Sequence, residues 1–312
     1  MYRELKNIHT NFLRTFALTT ALFSGTMMSQ SAVSQDFSNV QIRAEKLTDN
    51  VYVLFGAGGN IGVSAGKDGV FLIDDQFAPL TDKIKAAIGE FSDQPIRYVV
   101  NTHFHFDHSG GNENLGKHGA VIVAHKNVRL RMAKEQFVKA FNARTPAQPD
   151  IALPVVTFQE GVTLHLNGDD ADVIHVKNAH TDTDSIVHFK QANVIHMGDT
   201  FTTSPYPFID VDNGGGIDGV IEAAKLGLSL ADDNTQIIPG HGPMSKKADL
   251  EDHLKKLTTT REIIAKLKSE GMSLSEVITA KPLAPFEDTW GAQKPIANWT
   301  DLYVEWVYQS LK

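Results

Sequence analysis

Cysteine is absent from all 312 residues, which excludes disulfides, thiolate metal ligands and a cysteine nucleophile together. Long apolar runs are also missing, so no segment is long enough to span a bilayer. Nor is there an excess of positive charge: 29 Lys and Arg stand against 37 Asp and Glu, a formal net charge of −8. That balance speaks against nucleic acid or an anionic membrane as partner. The glycine-rich stretch Gly56-Ala57-Gly58-Gly59-Asn60 lacks the lysine and following helix of a phosphate-binding loop and reads as a flexible hairpin.

What is present suits one large globular domain or two small ones, with 42% hydrophobic and 21% charged residues. The N-terminus differs from the rest. Arg3, Lys6 and Arg14 precede an apolar run from Thr15 to Phe23, and small residues follow up to Ala32-Val33-Ser34. This is the order of a secretory signal peptide over 1–34, cleaved after Ser34; the alternative is an amphipathic first helix. Removing three basic side chains and one acidic one would move the net charge from −8 to −10. The expected location is exported, periplasmic or extracellular, with no stable membrane association after leader removal.

Val51 to Phe55, Ile61 to Ser64 and Gly69 to Ile73 read as short strands separated by glycine turns and closed by Asp74-Asp75. Leu80 to Phe91 has helical spacing, and Ile96 to Val100 is a β-branched strand. A strand at Val121 to Val123 precedes a helix expected from Lys126 to about Asn142. The second half repeats the theme, with strands near Val162 to Leu166, Asp172 to Val176, Ser185 to Phe189, Asn193 to His196 and Gln236 to Ile238. Helices are expected over Ile217 to Leu230, Lys246 to Glu270 and Trp299 to Leu311. No linker separates two domains, and two β-rich halves finished by helices suggest a sandwich with helices outside.

The chemistry is concentrated in His103-Phe104-His105-Phe106-Asp107-His108, directly after the strand Ile96 to Val100. Alternation puts His103 and His105 on one side of an extended segment, and a turn at Asp107 can swing Asp107 and His108 toward a second point. Burying so many polar groups without a partner would be costly. His180, Asp199 and His241 also follow strands. Imidazole with carboxylate suits zinc and leaves iron and manganese open. Of the other histidines, His118, His125, His165, His175, His188 and His253 read as solvated or satisfied by backbone. His196, three residues before Asp199, is the best candidate for a supporting role behind a ligand.

With these motifs, together with Gly198-Asp199-Thr200 and Pro239-Gly240-His241-Gly242, the chain resembles the metallo-β-lactamase superfamily over roughly residues 40 to 260. The resemblance implies an α+β fold, a four-layer αββα sandwich, in a domain over 40–312 with a C-terminal helical extension. It also implies two Zn2+ in the groove where the sheets meet. His103, His105 and His180 would hold the first metal, Asp107, His108 and His241 the second, and Asp199 would bridge or complete the site.

The implied reaction is hydrolysis in which a hydroxide shared by the metals attacks a β-lactam, lactone, ester or thioester carbonyl. Asp107 would orient the water and take its proton. The partner is then a small-molecule substrate, and the oligomeric state stays open. Aspartate at 199 departs from the lactamase subgroup that uses a thiolate there and resembles the pattern of thioesterases and lactonases. The alternatives are a dedicated exported β-lactamase, a one-iron sulfur dioxygenase, against which His108 and His241 together argue, and a non-catalytic metal-binding accessory protein. The aromatic, Pro- and Gly-punctuated segment Thr200 to Gly216 follows a ligand and is expected to shape the pocket, with Tyr206 and Phe208 as an apolar wall and Asn213 as a donor to substrate.

Overall fold

The structure is a computed structural model that describes residues 36–203, 206–292 and 296–312; the expected signal peptide lies outside the described residues. The first half runs β1 (Arg43–Lys46), β2 (Val51–Phe55), β3 (Ile61–Gly66), β4 (Gly69–Ile73), α1 (Thr81–Gly89), β5 (Ile96–Asn101), α2 (Phe106–Ser109), α3 (Asn112–Lys117), β6 (Val121–His125), α4 (Lys126–Met132), β7 (Gln136–Val138), β8 (Ala143–Thr145) and β9 (Val156–Phe158). The second half runs β10 (Gly161–Leu166), β11 (Asp169–His175), β12 (Ser185–Phe189), β13 (Val194–His196), α5 (Ile217–Leu230), β14 (Gln236–Ile238), α6 (Lys247–Ser269), α7 (Leu274–Thr279) and α8 (Trp299–Ser310). Among the described residues no helix is long and apolar enough to cross a membrane.

The two large sheets have the orders β1-β2-β3-β4-β5-β6-β9 and β10-β11-β12-β13-β14. Period-two alternation decides what each strand buries. In β4, Phe71 and Ile73 point between the sheets, where they meet Val187, Phe189 and Ile238. Its Val70 and Leu72 point outward onto Ile84, Ile88 and Leu115 of α1 and α3. With both faces covered, β4 is apolar at every position after its glycine. The outer face of the second sheet is closed by α5, α6 and α8 through Ile186, Ile195, Val220, Leu257 and Val307. The result is the four-layer αββα sandwich.

The helix expected over Lys126 to Asn142 is corrected: α4 stops at Met132 and a small antiparallel hairpin, β7 with β8, follows. Gln136 ends the helix, because its side-chain amide donates to the carbonyls of Arg131 and Glu135 at 2.8 and 3.0 Å. The hairpin turns through Asn142 in the left-handed region, φ 48°, which Asn tolerates better than most residues.

On α6, His253 is fully buried against Phe201. Burial, reinforced by Lys256, pushes its imidazole down to about 3. The unfolded chain takes up a proton here below about pH 6.5 while the folded chain does not, so stability falls as pH drops through that window. In metal-free protein, His253→Leu should lose about 2 kcal/mol less than the parent between about pH 7.5 and about pH 5. Urea unfolding at both pH values checks this, and an identical pH dependence for the two proteins contradicts it.

Candidate metal centre

Strand direction brings the candidate ligands to one edge. Strands β4, β5 and β6 are parallel, as are β13 and β14, so the segments after β5, β13 and β14 leave together. The connection from β11 to the antiparallel β12 brings His180 to that same edge. The two sheets are tied there, where Ser185 N–H donates to the Thr102 carbonyl at 2.8 Å.

The structure brings all seven predicted ligands together. Donor atoms of His103, His105 and His180 lie within 4.8 Å of one another, as do those of Asp107, His108 and His241, and those of His103, His108 and Asp199. His105 Nδ1 is 2.9 Å from His180 Nε2. His108 Nε2 lies 3.2 Å from His241 Nε2 and 3.1 Å from Asp199 Oδ1. His241 Nε2 is 3.2 Å from Asp107 Oδ2 and 3.3 Å from Asp199 Oδ2.

Four of the five rings are aimed by their other nitrogen, as in metal sites where an outer partner fixes the tautomer. His108 Nδ1 meets Asp74 Oδ2 at 2.7 Å, His180 Nδ1 meets the Phe208 carbonyl at 2.9 Å, His105 Nε2 meets Asp210 Oδ2 at 3.0 Å and His103 Nδ1 meets Thr102 Oγ1 at 3.1 Å. That leaves His103 Nε2 buried with no hydrogen-bond partner, an arrangement that costs stability unless something accepts its lone pair.

The electrostatics point the same way. Burial pushes His103 well down and His180 down to about 4, with neighbouring histidines adding to it. His108 and His241 behave oppositely: burial disfavours their charge, but Asp199 and Asp107 outweigh it, raising His108 and pushing His241 up to about 10. Burial also opposes charge on Asp107, yet His108 and His241 hold its carboxyl at about 2. The cluster thus attracts positive charge to its centre, and its N/O donors fit divalent zinc.

Sequence reasoning passed over Asp74 and Asp210. Asp74, buried and in the left-handed region at φ 64°, accepts from Thr102 N and Thr102 Oγ1 at 2.7 Å each, besides His108. The signal was there: a carboxylate closing an apolar strand beside the ligand-bearing one. Two other expectations are corrected. Tyr206 does not line a pocket; it is fully buried and stacked on Tyr303 at 4.5 Å, part of the core under α8. Asn213 has no group free for substrate, because its amide donates to Asp210 Oδ2 at 2.7 Å and its oxygen accepts from Arg131 Nη1 at 2.7 Å. Phe208 does lie at the centre, its ring stacked over His105 and edge-on to His180.

His196 is held by backbone on both ring nitrogens. Its Nε2 meets the Asn60 carbonyl at 3.0 Å and its Nδ1 accepts from Gly198 N–H, so it shapes the turn that presents Asp199. The Gly56–Asn60 hairpin packs directly on the site. Asn60 Nδ2 donates to the Pro239 and Gly242 carbonyls at 2.9 and 2.8 Å, on either side of His241. A Cβ at Gly59 would fall 2.1 Å from His108 Cε1.

A family model described as Metallo-beta-lactamase superfamily matches residues 55–245. No curated protein matches the chain. Among solved structures, a metallo-beta-lactamase from Pontibacter korlensis is 19% identical with a TM-score of 0.57, over 70% of this chain and 99% of that one. The DIM-1 metallo-beta-lactamase is 21% identical with a TM-score of 0.56, over 71% and 99%. A stereoselective inverting sec-alkylsulfatase from Pseudomonas sp. is 15% identical with a TM-score of 0.63, over 86% of this chain and half of that one. At these identities the likeness is one of fold.

If zinc fills both histidine groups, the zinc content measured by mass spectrometry should fall by about one equivalent in His103→Ala and likewise in His241→Ala. Gly59→Ala should weaken zinc at the His108 side about 10-fold, as loss of an aiming contact does. Unchanged metal content in both histidine variants would contradict the assignment.

Proposed function

The chain belongs to the metallo-beta-lactamase superfamily, and from that premise we propose that it is an exported dinuclear zinc hydrolase acting on the carbonyl of a β-lactam, lactone, ester or thioester. The observation that carries this reading is the division of the site into a buried floor and an open rim. His103, His108 and His180 are fully buried, whereas the side chains of Asp107 and His241 are 29% and 33% exposed. A substrate therefore reaches the donors from the Asp107 and His241 side.

Divalent metal held by these donors would supply Lewis acidity toward the substrate carbonyl and a water of lowered pKa. The chain's own groups supply the rest. Asp107, held ionised at the rim, is placed to orient the attacking water, accept its proton as the carbonyl carbon becomes tetrahedral, and pass it to the leaving group. No protein nucleophile is required. Ser109 Oγ is committed to the Phe104 and His105 carbonyls, Thr200 Oγ1 to the Met197 carbonyl and Thr102 Oγ1 to the Asp74 carboxylate. Phe208 offers an apolar surface beside His105 for the non-reacting part of the substrate.

Export belongs to the same proposal and rests on the leader-like order of residues 1–34. A secreted form whose mass begins at Gln35 is expected; one that begins well before Ser34 removes it.

Zinc-loaded mature protein should hydrolyse at least one of a chromogenic cephalosporin, a simple lactone and a thioester, and a chelator should abolish the activity. Lactam turnover above the other two marks a dedicated β-lactamase. Activity on none, with zinc retained, supports a metal-binding accessory protein instead. Assayed with enough zinc to keep the site filled, Asp107→Asn should lower kcat by about 10²- to 10⁴-fold, and full kcat in that variant would exclude its proton role.

A further inference from the structure

The loop 208–213 supplies the outer partner for two of the three histidines at one end of the centre. The Phe208 carbonyl holds His180 Nδ1 and the Asp210 carboxylate holds His105 Nε2. The loop is also laced by backbone to the segment that carries His180: Asp210 N–H donates to the His180 carbonyl at 2.9 Å, and Asp182 N–H to the Asn213 carbonyl at 3.1 Å. The position of this loop therefore sets the aim of both rings.

One side chain clamps it. Arg131, in the last turn of α4, sends Nε and Nη2 to Asp182 Oδ1 and Oδ2 at 2.6 and 2.8 Å. Its Nη1 donates to Asn213 Oδ1 at 2.7 Å and its Nη2 also donates to the Asn213 carbonyl at 2.9 Å. With its oxygen taken by Arg131, Asn213 must turn its amide N–H toward Asp210 Oδ2, 2.7 Å away. A continuous series of polar contacts runs from Arg131 through Asn213 and Asp210 to His105, and a second from Arg131 through Asp182 to the segment of His180.

We propose that Arg131 is a remote positioning residue of the metal centre, which fixes the rings of His105 and His180 through the 208–213 loop and leaves the Asp107, His108 and His241 end untouched. The inference rests on the metal-centre reading above. The bidentate pairing with Asp182 is of the stronger, geometrically specific kind, and both side chains are mostly covered, 21% and 29% exposed. Two forks of a planar guanidinium satisfy two carboxylate oxygens and two amide oxygens together. A lysine ammonium has three donors and no fork, so Lys cannot replace Arg131 here. The hairpin expected to be helix takes part too: Asn213 Nδ2 also reaches the Phe137 carbonyl at 3.3 Å, and Gln136 Oε1 lies 3.4 Å from Arg131 Nη1.

The test is a competition titration of zinc against a chromophoric chelator, resolving two dissociation constants for the parent protein, Arg131→Gln, Arg131→Lys and Asp210→Asn. Each variant should bind one zinc equivalent about 10- to 100-fold more weakly, the usual cost of losing an outer partner, and the other within about threefold of the parent. The equivalent lost should be the one lost in His103→Ala. Asp210→Asn keeps the Arg131–Asp182 pair, so it reads the relay even if Arg131 variants fold poorly. Parent-like constants in the variants overturn this inference alone. So does parallel weakening of both equivalents with a lowered Tm of the metal-free protein, which would make the clamp merely structural. A parent protein that takes up no zinc overturns the metal reading and this inference with it.

Discussion

At the end of β4 the Asp74 carboxylate, out of contact with water, gathers the N–H and hydroxyl of Thr102 and the Nδ1 of His108. These contacts join a strand of the first sheet to the start of the ligand segment and to its last histidine. A buried carboxylate is tolerable only when its oxygens are filled by such donors, so the local backbone bends to meet it, with Asp74 and Gln76 both at positive φ. His108 is thereby aimed with Nε2 toward Asp199 and His241. The hairpin at Gly59 can pack against that ring only because no side chain intervenes.

Around this anchor the centre is asymmetric. His241, Asp107 and Asp199 form a charged, partly open side above the buried His108, where carboxylates draw protons or cations toward the imidazoles. His103, His105 and His180 form a closed side, and burial there keeps the His103 and His180 rings neutral, the state in which imidazole serves as a ligand. Neutral donors below and charged donors at the rim suit a site that must hold metal firmly while admitting a substrate.

The sequence made the sandwich legible because period-two alternation and helical spacing are direct images of burial. The fully apolar β4 declared itself a central strand, and Ile217–Leu230 a helix on the sheet. The ligand segment was legible because three histidines and an aspartate in six positions have no economical packing role. What escaped depends on contacts between distant segments. Phe137, Ala140 and Phe141 have helical spacing, yet Gln136 stops the helix by bonding back to it. Tyr206 stands in an aromatic loop after a ligand, but α8, a hundred residues on, closes over it: Trp299 Nε1 donates to its carbonyl at 2.8 Å. Asn213 carried the right chemistry for a substrate donor, and only Arg131 and Asp210, far away in sequence or unremarked beside it, reveal that its amide is already spent.

Diffraction from zinc-soaked crystals, with anomalous data collected at the zinc edge, measures the central claim most directly. The account predicts two peaks about 3.5–4 Å apart, one among His103, His105 and His180 and one among Asp107, His108 and His241, with Asp199 reaching either or both. A single peak, or zinc bound only elsewhere on the protein, would contradict it.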